Sequence, residues 1–284
     1  MHRASRLSPA VSGMRWLAVS GWQDEDWLWH GFSTRVGGVS QAYLPAGLEE
    51  GLAGELNLGF TPADSAENVH ENRLRFVEAI TRGRTTPLMA LRQVHSNVSV
   101  ALHAPQRGFS SDVIPEADGI MTDQPGILLA IQTADCIPVL VADRKRRVVA
   151  GFHAGWRGTV QRIVELGIAQ MRAEFGSEPE NLEAAIGPGI GACCYTVGDE
   201  VRSRFEANFS HAAELFGRDE AARLGEGLRL GLTEANRRQL LDAGLGAGSI
   251  TLVGGCTACQ PELFYSHRAS GGHAGRMMAV VGIH

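Results

Sequence analysis

Apolar and polar positions alternate along this chain in short blocks, and the blocks predict its elements. Over residues 159–175 the apolar positions Val160, Ile163, Val164, Ile168, Met171 and Phe175 recur at the spacing of one helix face. Residues 63–80 read as a second helix, with Val69, Phe76, Val77 and Ile80 on one side and Asp64 or Ser65 as its cap. Residues 233–243 read as a third, capped by Thr233 and stopped by Gly244. Between these lie short apolar runs at 97–102, 127–131, 137–141, 148–152, 182–186, 250–253 and 277–280, whose lengths suit buried strands. The charged run 143–147 joins two of them and predicts a hairpin, while other strands are linked by helices. A hairpin beside helix-linked strands implies a mixed sheet. The fold class read from this pattern is α/β, as one layered α-β-α domain.

Composition changes the picture mainly by exclusion. Twenty-six basic against 31 acidic residues give a net charge of −5 without a basic face, which argues against nucleic acid as a partner. No stretch reaches 18 apolar residues and the amino terminus has no apolar signal core, so a soluble cytoplasmic protein with no membrane partner is expected. The only lysine is Lys145, inside the predicted hairpin turn, which leaves little room for a Schiff base or a P-loop. Anion recognition therefore falls to arginine. Arg35, Arg157 and Arg268, all in glycine-rich junctions, are the candidates for holding a phosphate, with Arg276 flanking the same loop as Arg268.

Five cysteines are too few and too irregular for a disulfide framework. Cys256 and Cys259 form a CxxC without a second such pair, which argues against a zinc ribbon. The vicinal Cys193 and Cys194 follow a glycine-rich turn and read as packing.

Three motifs fall at strand ends: Gln93-Val94-His95, Thr133-Ala134-Asp135-Cys136, and His153-Ala154-Gly155-Trp156-Arg157-Gly158. His95, Cys136 and His153 lie 41 and 17 residues apart, which is not finger spacing. If they converge, a His₂Cys set leaves one tetrahedral position open, as in catalytic zinc sites, where the pKa of water falls to roughly 7. Without a metal, Cys136 and His153 make a thiolate–imidazolium pair, with Asp135 or Asp118 orienting the imidazole. The residues alone leave both readings open.

These motifs resemble the signature of the YfiH-like laccase-domain family. The likeness continues in Gly31-Phe32-Ser33-Thr34-Arg35, Asn57-Leu58-Gly59, Asn72-Arg73, Ile186-Gly187-Pro188, Tyr195, Cys256-Thr257 and Phe264-Tyr265-Ser266-His267-Arg268. It spans about residues 31–281 and marks 31–284 as the domain, with 1–30 an amino-terminal extension that is part of the same domain or peripheral. The resemblance implies an α-β-α fold with a mixed sheet, shared with cytotoxic-necrotizing-factor-like toxins. It also implies a zinc site at His95, Cys136 and His153. The activities implied are phosphorolysis of purine nucleosides and hydrolytic deamination of adenosine, with nucleoside and phosphate as partners. Asp135 is the carboxylate placed to move protons in that chemistry, and Arg35, Arg157 and Arg268 the residues placed to hold phosphate. The family's older name implies copper oxidation of phenols. Yet no His-x-His pair occurs among the ten histidines, and a single His₂Cys copper carries one electron, so zinc ranks ahead of copper. A Cys–His hydrolase editing a peptidoglycan precursor is the third reading.

Overall fold

In the computed structural model, which describes residues 6–7, 13–44, 54–103, 114–218 and 227–284, the predicted hairpin forms. Ile137–Asp143 and Val148–Ala154 pair antiparallel, with Val139 opposite Phe152, and all residues of both strands are buried. Asp143 closes the turn by accepting the backbone N–H groups of Lys145 and Arg146. Strands buried on both faces need a layer on each side, and the chain supplies two different ones.

On one side of the hairpin lie the helices. Val139, Phe152 and Ile186 pack against Ile163, Ile168 and Leu240. On the other side lies a second sheet, where Leu140, Val149 and Ala185 meet Phe32, Leu129, Ile131, Ala279 and Val281. The hairpin's sheet runs in the order Ile250–Leu252, Leu182–Ile186, Ile137–Asp143, Val148–Ala154, Gly119–Thr122, Ser99–Leu102. The other runs Arg6–Leu7, Trp16–Ala18, Leu28–Ser33, Met277–Ile283, Ile127–Thr133, Leu88–Ala90. Each contains both antiparallel and parallel pairs, so the mixed α/β class holds. The layers number four, helix–sheet–sheet–helix, where the sequence suggested one sheet between helices.

The outer helix on the second sheet is α1, Ala66–Thr81, which lays Val69, Phe76, Val77 and Ile80 against the core. Of its two candidate caps Ser65 is used, accepting the Asn68 backbone N–H. Asp64 instead accepts from Ser40 and Asn57. The helix expected over 159–175 is two: α2, Trp156–Val160, and α3, Ile163–Phe175, broken at Arg162 with φ 61°. Arg162 stacks on Phe209 and pairs with Glu165 and Asp242 there. A fourth helix, α4, spans Asp199–Asn208. The last, α5, is Leu232–Asp242; Gly231 is its cap, so Thr233 lies inside it, and Gly244 ends it at φ 96°.

Leu28–Ser33 is a central strand that the apolar pattern does not reveal, since His30, Gly31 and Ser33 interrupt it. It crosses residue 30, and Trp22 and Trp27 before it are buried in the core between the sheets. No helix among the described residues is long and apolar enough to cross a membrane.

Gly167 sets how closely α3 approaches the sheet. A Cβ there would meet the buried Phe152 ring at 2.2 Å. Overpacking of this kind costs about 1–3 kcal/mol, against the roughly 1 kcal/mol that alanine gains over glycine in a helix. Gly167→Ala is expected to lower stability by up to about 2 kcal/mol, read from the urea midpoint; a rise in stability would mean that α3 can lift off the sheet freely.

Candidate active site

The chain crosses from one sheet to the other between Leu88–Ala90 and Ser99–Leu102, and again between Ile127–Thr133 and Ile137–Asp143. His95 lies in the first crossing and Cys136 in the second. His153 stands at the end of the neighbouring hairpin strand, opposite Pro138. The seam between the sheets thus brings together three residues that are scattered in sequence. Their donor atoms all lie within 4.8 Å of one another. Cys136 Sγ is 3.8 Å from His95 Nε2, and the two imidazoles meet edge to face at 4.9 Å.

Asp118, fully buried, holds this arrangement. Its carboxylate accepts the backbone N–H groups of Val94, His95 and Ser96 at 3.2, 3.0 and 2.6 Å, and the Ser96 hydroxyl at 2.7 Å. These bonds hold His95 in the left-handed region, at φ 61°. The same carboxylate accepts from His153 Nδ1 at 2.8 Å. Because a carboxylate only accepts, Nδ1 carries the proton and Nε2 is left for the cluster. Burial would raise the Asp118 pKa, but hydrogen bonds from His153 and Ser96 outweigh it and bring it to about 2. Burial likewise opposes ionisation of Cys136 and His153. Their mutual attraction, with Asp118 behind His153, prevails: the thiol falls to about 6 and the imidazole rises to about 9. The metal-free pair is therefore thiolate and imidazolium near neutral pH. Gly155 leaves the room they need: a Cβ there would stand 2.9 Å from both Cys136 Sγ and His95 Cδ2.

A cleft of about 610 Å³ opens over this group. Phe60, Trp156 and Tyr195 give it flat aromatic walls, and Arg157, Arg268 and Arg276 give it charge. Arg157 stacks on Trp156 at 4.6 Å, and Arg268 lies over the Tyr195 ring at 5.0 Å while donating to the Thr196 carbonyl. Neither makes an ion pair with a carboxylate among the described residues. Burial and the nearby Cys136 push the Tyr195 hydroxyl up to about 12 against the pull of Arg268 and Arg157, so it stays a protonated donor.

Two expectations change. Arg35 is not in this cleft: it pairs with Glu55 at 2.5 Å, donates to the carbonyls of Pro261 and Tyr43, and stacks on Tyr265. Its glycine neighbours serve close backbone packing, since a Cβ on Gly37 would meet Met14 Cα at 2.3 Å and one on Gly38 the Glu55 carbonyl oxygen at 2.2 Å. Asp135 does line the cleft, but its oxygens accept from the Thr257 hydroxyl and the Arg268 backbone N–H at 2.6 and 2.7 Å. Of the two carboxylates considered for orienting the imidazole, Asp118 is the one that does so. Tyr195, which the motif contains without a role, is the cleft residue that the sequence does not assign; its membership of the motif is the signal that points to it.

Elsewhere, Cys193, Cys194, Cys256 and Cys259 form a second group with all four sulfur atoms within 4.8 Å. The CxxC does have a partner pair, and it is the vicinal one. A separate cavity of about 700 Å³ beside Trp29, His30, Arg84 and His284 contains none of these residues.

Residues 29–284 match the family model described as multi-copper polyphenol oxidoreductase laccase. The chain is 40% identical over 261 residues to the purine nucleoside phosphorylase of Deinococcus radiodurans, covering 89% of this chain and 88% of that protein. It is 32% identical over 193 residues to adenosine deaminase RL5 from an unknown prokaryotic organism, covering 66% of this chain and 72% of that protein. The crystal structure of the Bacillus licheniformis hypothetical protein YfiH superposes with a TM-score of 0.84 at 30% identity, covering 98% of this chain and 99% of that one. Together with the motifs at the seam, these matches make the chain a member of the laccase-domain, YfiH-like family.

Proposed function

We propose that the chain is a zinc-dependent purine nucleoside enzyme that carries out phosphorolysis of adenosine, inosine, guanosine and methylthioadenosine and hydrolytic deamination of adenosine. The observation that carries this reading is one cleft holding both a His₂Cys group and two arginines, Arg157 and Arg268, whose guanidinium groups pair with no carboxylate among the described residues. Relatives named for each of the two activities support it.

The donor set suits zinc. It offers two imidazole nitrogens and one thiolate sulfur, and Asp118 behind His153 is the carboxylate–histidine arrangement that fixes a ligand's tautomer. His95, Cys136 and His153 would hold the ion, which supplies a Lewis acid able to make a nucleophile of water near neutral pH. A multicopper oxidase needs histidine-rich ligation. The two candidate groups among the described residues are His₂Cys and Cys₄, which favours zinc over copper.

In phosphorolysis, phosphate attacks C1′ as the bond from C1′ to the purine breaks. Arg157 and Arg268 would bind and orient the phosphate through charge-assisted hydrogen bonds, and the hydroxyl of Tyr195, whose ring lies under Arg268, would donate a further one. Phe60, exposed in the cleft with Arg73 over its ring, offers an aromatic surface for a purine, while Trp156 supports Arg157. Asp135 anchors the Arg268 backbone and Thr257 to the turn that carries Cys136, so its role in this reading is to hold the cleft wall. The Cys136–His153–Asp118 geometry also suits a cysteine hydrolase. The two readings part on whether zinc or alkylation controls activity.

The direct test incubates the protein with each nucleoside, with and without phosphate, and separates the products. Free base is expected only with phosphate, and inosine from adenosine in either case; base released equally without phosphate would overturn phosphorolysis. Arg157→Ala and Arg268→Ala are expected to raise the KM for phosphate by about tenfold or more, the loss of one charge-assisted bond, while adenosine deamination changes much less. Asp118→Asn is expected to weaken zinc binding about 10- to 100-fold, measured by competition with a chelator, with deamination falling in parallel. Unchanged zinc affinity would remove Asp118 from the account.

A further inference from the structure

The four cysteines outside the cleft call for an explanation that packing does not provide. Cys193 and Cys259 are exposed, and Cys194 and Cys256 are only partly covered, so these thiols fill no core. They come from two places 62 residues apart, yet the sheet aligns them. Leu182–Ile186 and Ile250–Leu252 are parallel neighbours, and the pairing continues past their ends in a bridge between Gly189 and Cys256, with Thr257 N–H donating to the Gly189 carbonyl. Each strand then turns back within a few residues. Cys194 and Tyr195 donate to the Gly191 carbonyl in one turn, and Cys259 donates to the Cys256 carbonyl in the other. The result is two facing knuckles, each presenting two sulfur atoms.

We propose that Cys193, Cys194, Cys256 and Cys259 form a second zinc site, structural in kind and distinct from the cleft. Sulfur atoms bound tetrahedrally at the Zn–S distance of about 2.3 Å lie about 3.8 Å apart. Here Cys259 Sγ is 3.4 Å from both Cys193 Sγ and Cys194 Sγ, and all four atoms fall within 4.8 Å. The Gly191 backbone N–H donates to Cys256 Sγ at 3.2 Å, the outer-shell contact that stabilises a thiolate ligand. Gly191 keeps the turn close to the sulfur atoms, since a Cβ there would stand 3.1 Å from both Cys193 Sγ and Cys256 Cβ, tighter than ordinary contact. Four protein ligands leave no open position, so the site binds and braces but does not catalyse. What it braces is the cleft wall, because Tyr195 follows Cys194 directly and Thr257, which holds Asp135, follows Cys256.

The test uses full-length protein carrying Cys136→Ala, which among the described residues leaves only the four-cysteine group with a complete ligand set. Loaded with zinc under reducing conditions and freed of excess metal, it is expected to keep about one zinc per chain, with an all-sulfur shell near 2.3 Å by X-ray absorption. Adding Cys193→Ser and Cys259→Ser should abolish that zinc. Because those changes can unfold the turn, a second measurement leaves the cluster intact. Iodoacetamide followed by peptide mass mapping should find these four thiols protected in zinc-loaded protein and labelled after chelation. Equal labelling with and without zinc, or a Cys136→Ala protein that retains no zinc, would overturn the site.

Discussion

One buried carboxylate holds the site together. Asp118 accepts three backbone N–H groups, one hydroxyl and one imidazole N–H, and those donors come from both the crossing loop and the hairpin strand. A buried charge is tolerated only when its lone pairs are satisfied. Satisfying this one forces His95 into the left-handed region and His153 into a single tautomer. Cys136 completes the group because its turn leads into the strand that pairs with His153. The two sheets give the rigidity, Asp118 the orientation, and Gly155 the space.

Much of this was legible in the sequence. Apolar runs at 127–131, 137–141, 148–152 and 277–280 are strands because burial on both faces makes them continuously apolar. Leu28–Ser33 escaped because His30, Gly31 and Ser33 break its run; Gly31 is there for contact, since a Cβ would meet Ile80 Cδ1 at 2.5 Å. The division of α2 from α3 escaped because the apolar period continues across Arg162, and periodicity does not register one left-handed residue. The doubling of the sheet was hidden for a similar reason. A strand buried beneath helices and one buried beneath a second sheet carry the same apolar signal.

The site's three ligand candidates were legible as motifs at strand ends, whereas their surroundings were not. Glycine neighbours around Arg35 suggested an anion site but serve backbone contact, a distinction that spacing alone cannot express. The partnership of Cys193 and Cys194 with Cys256 and Cys259 was missed because spacing rules look for a second CxxC, while the sheet register supplied a vicinal pair instead. Arginine's near-monopoly of positive charge has a clear outcome. The arginines lining the cleft, Arg92, Arg157, Arg268 and Arg276, are permanently charged forks suited to an oxyanion, although Arg92 is already paired with Glu116.

The central claim is that zinc at His95, Cys136 and His153 is required for chemistry on purine nucleosides. It is tested most directly by measuring adenosine deamination and inosine phosphorolysis on chelator-treated protein before and after titration with zinc or copper. The account predicts that deamination disappears with the metal and returns at about one equivalent of zinc in the cleft, while copper fails to restore it. Full deaminase turnover by protein shown to be zinc-free would contradict it.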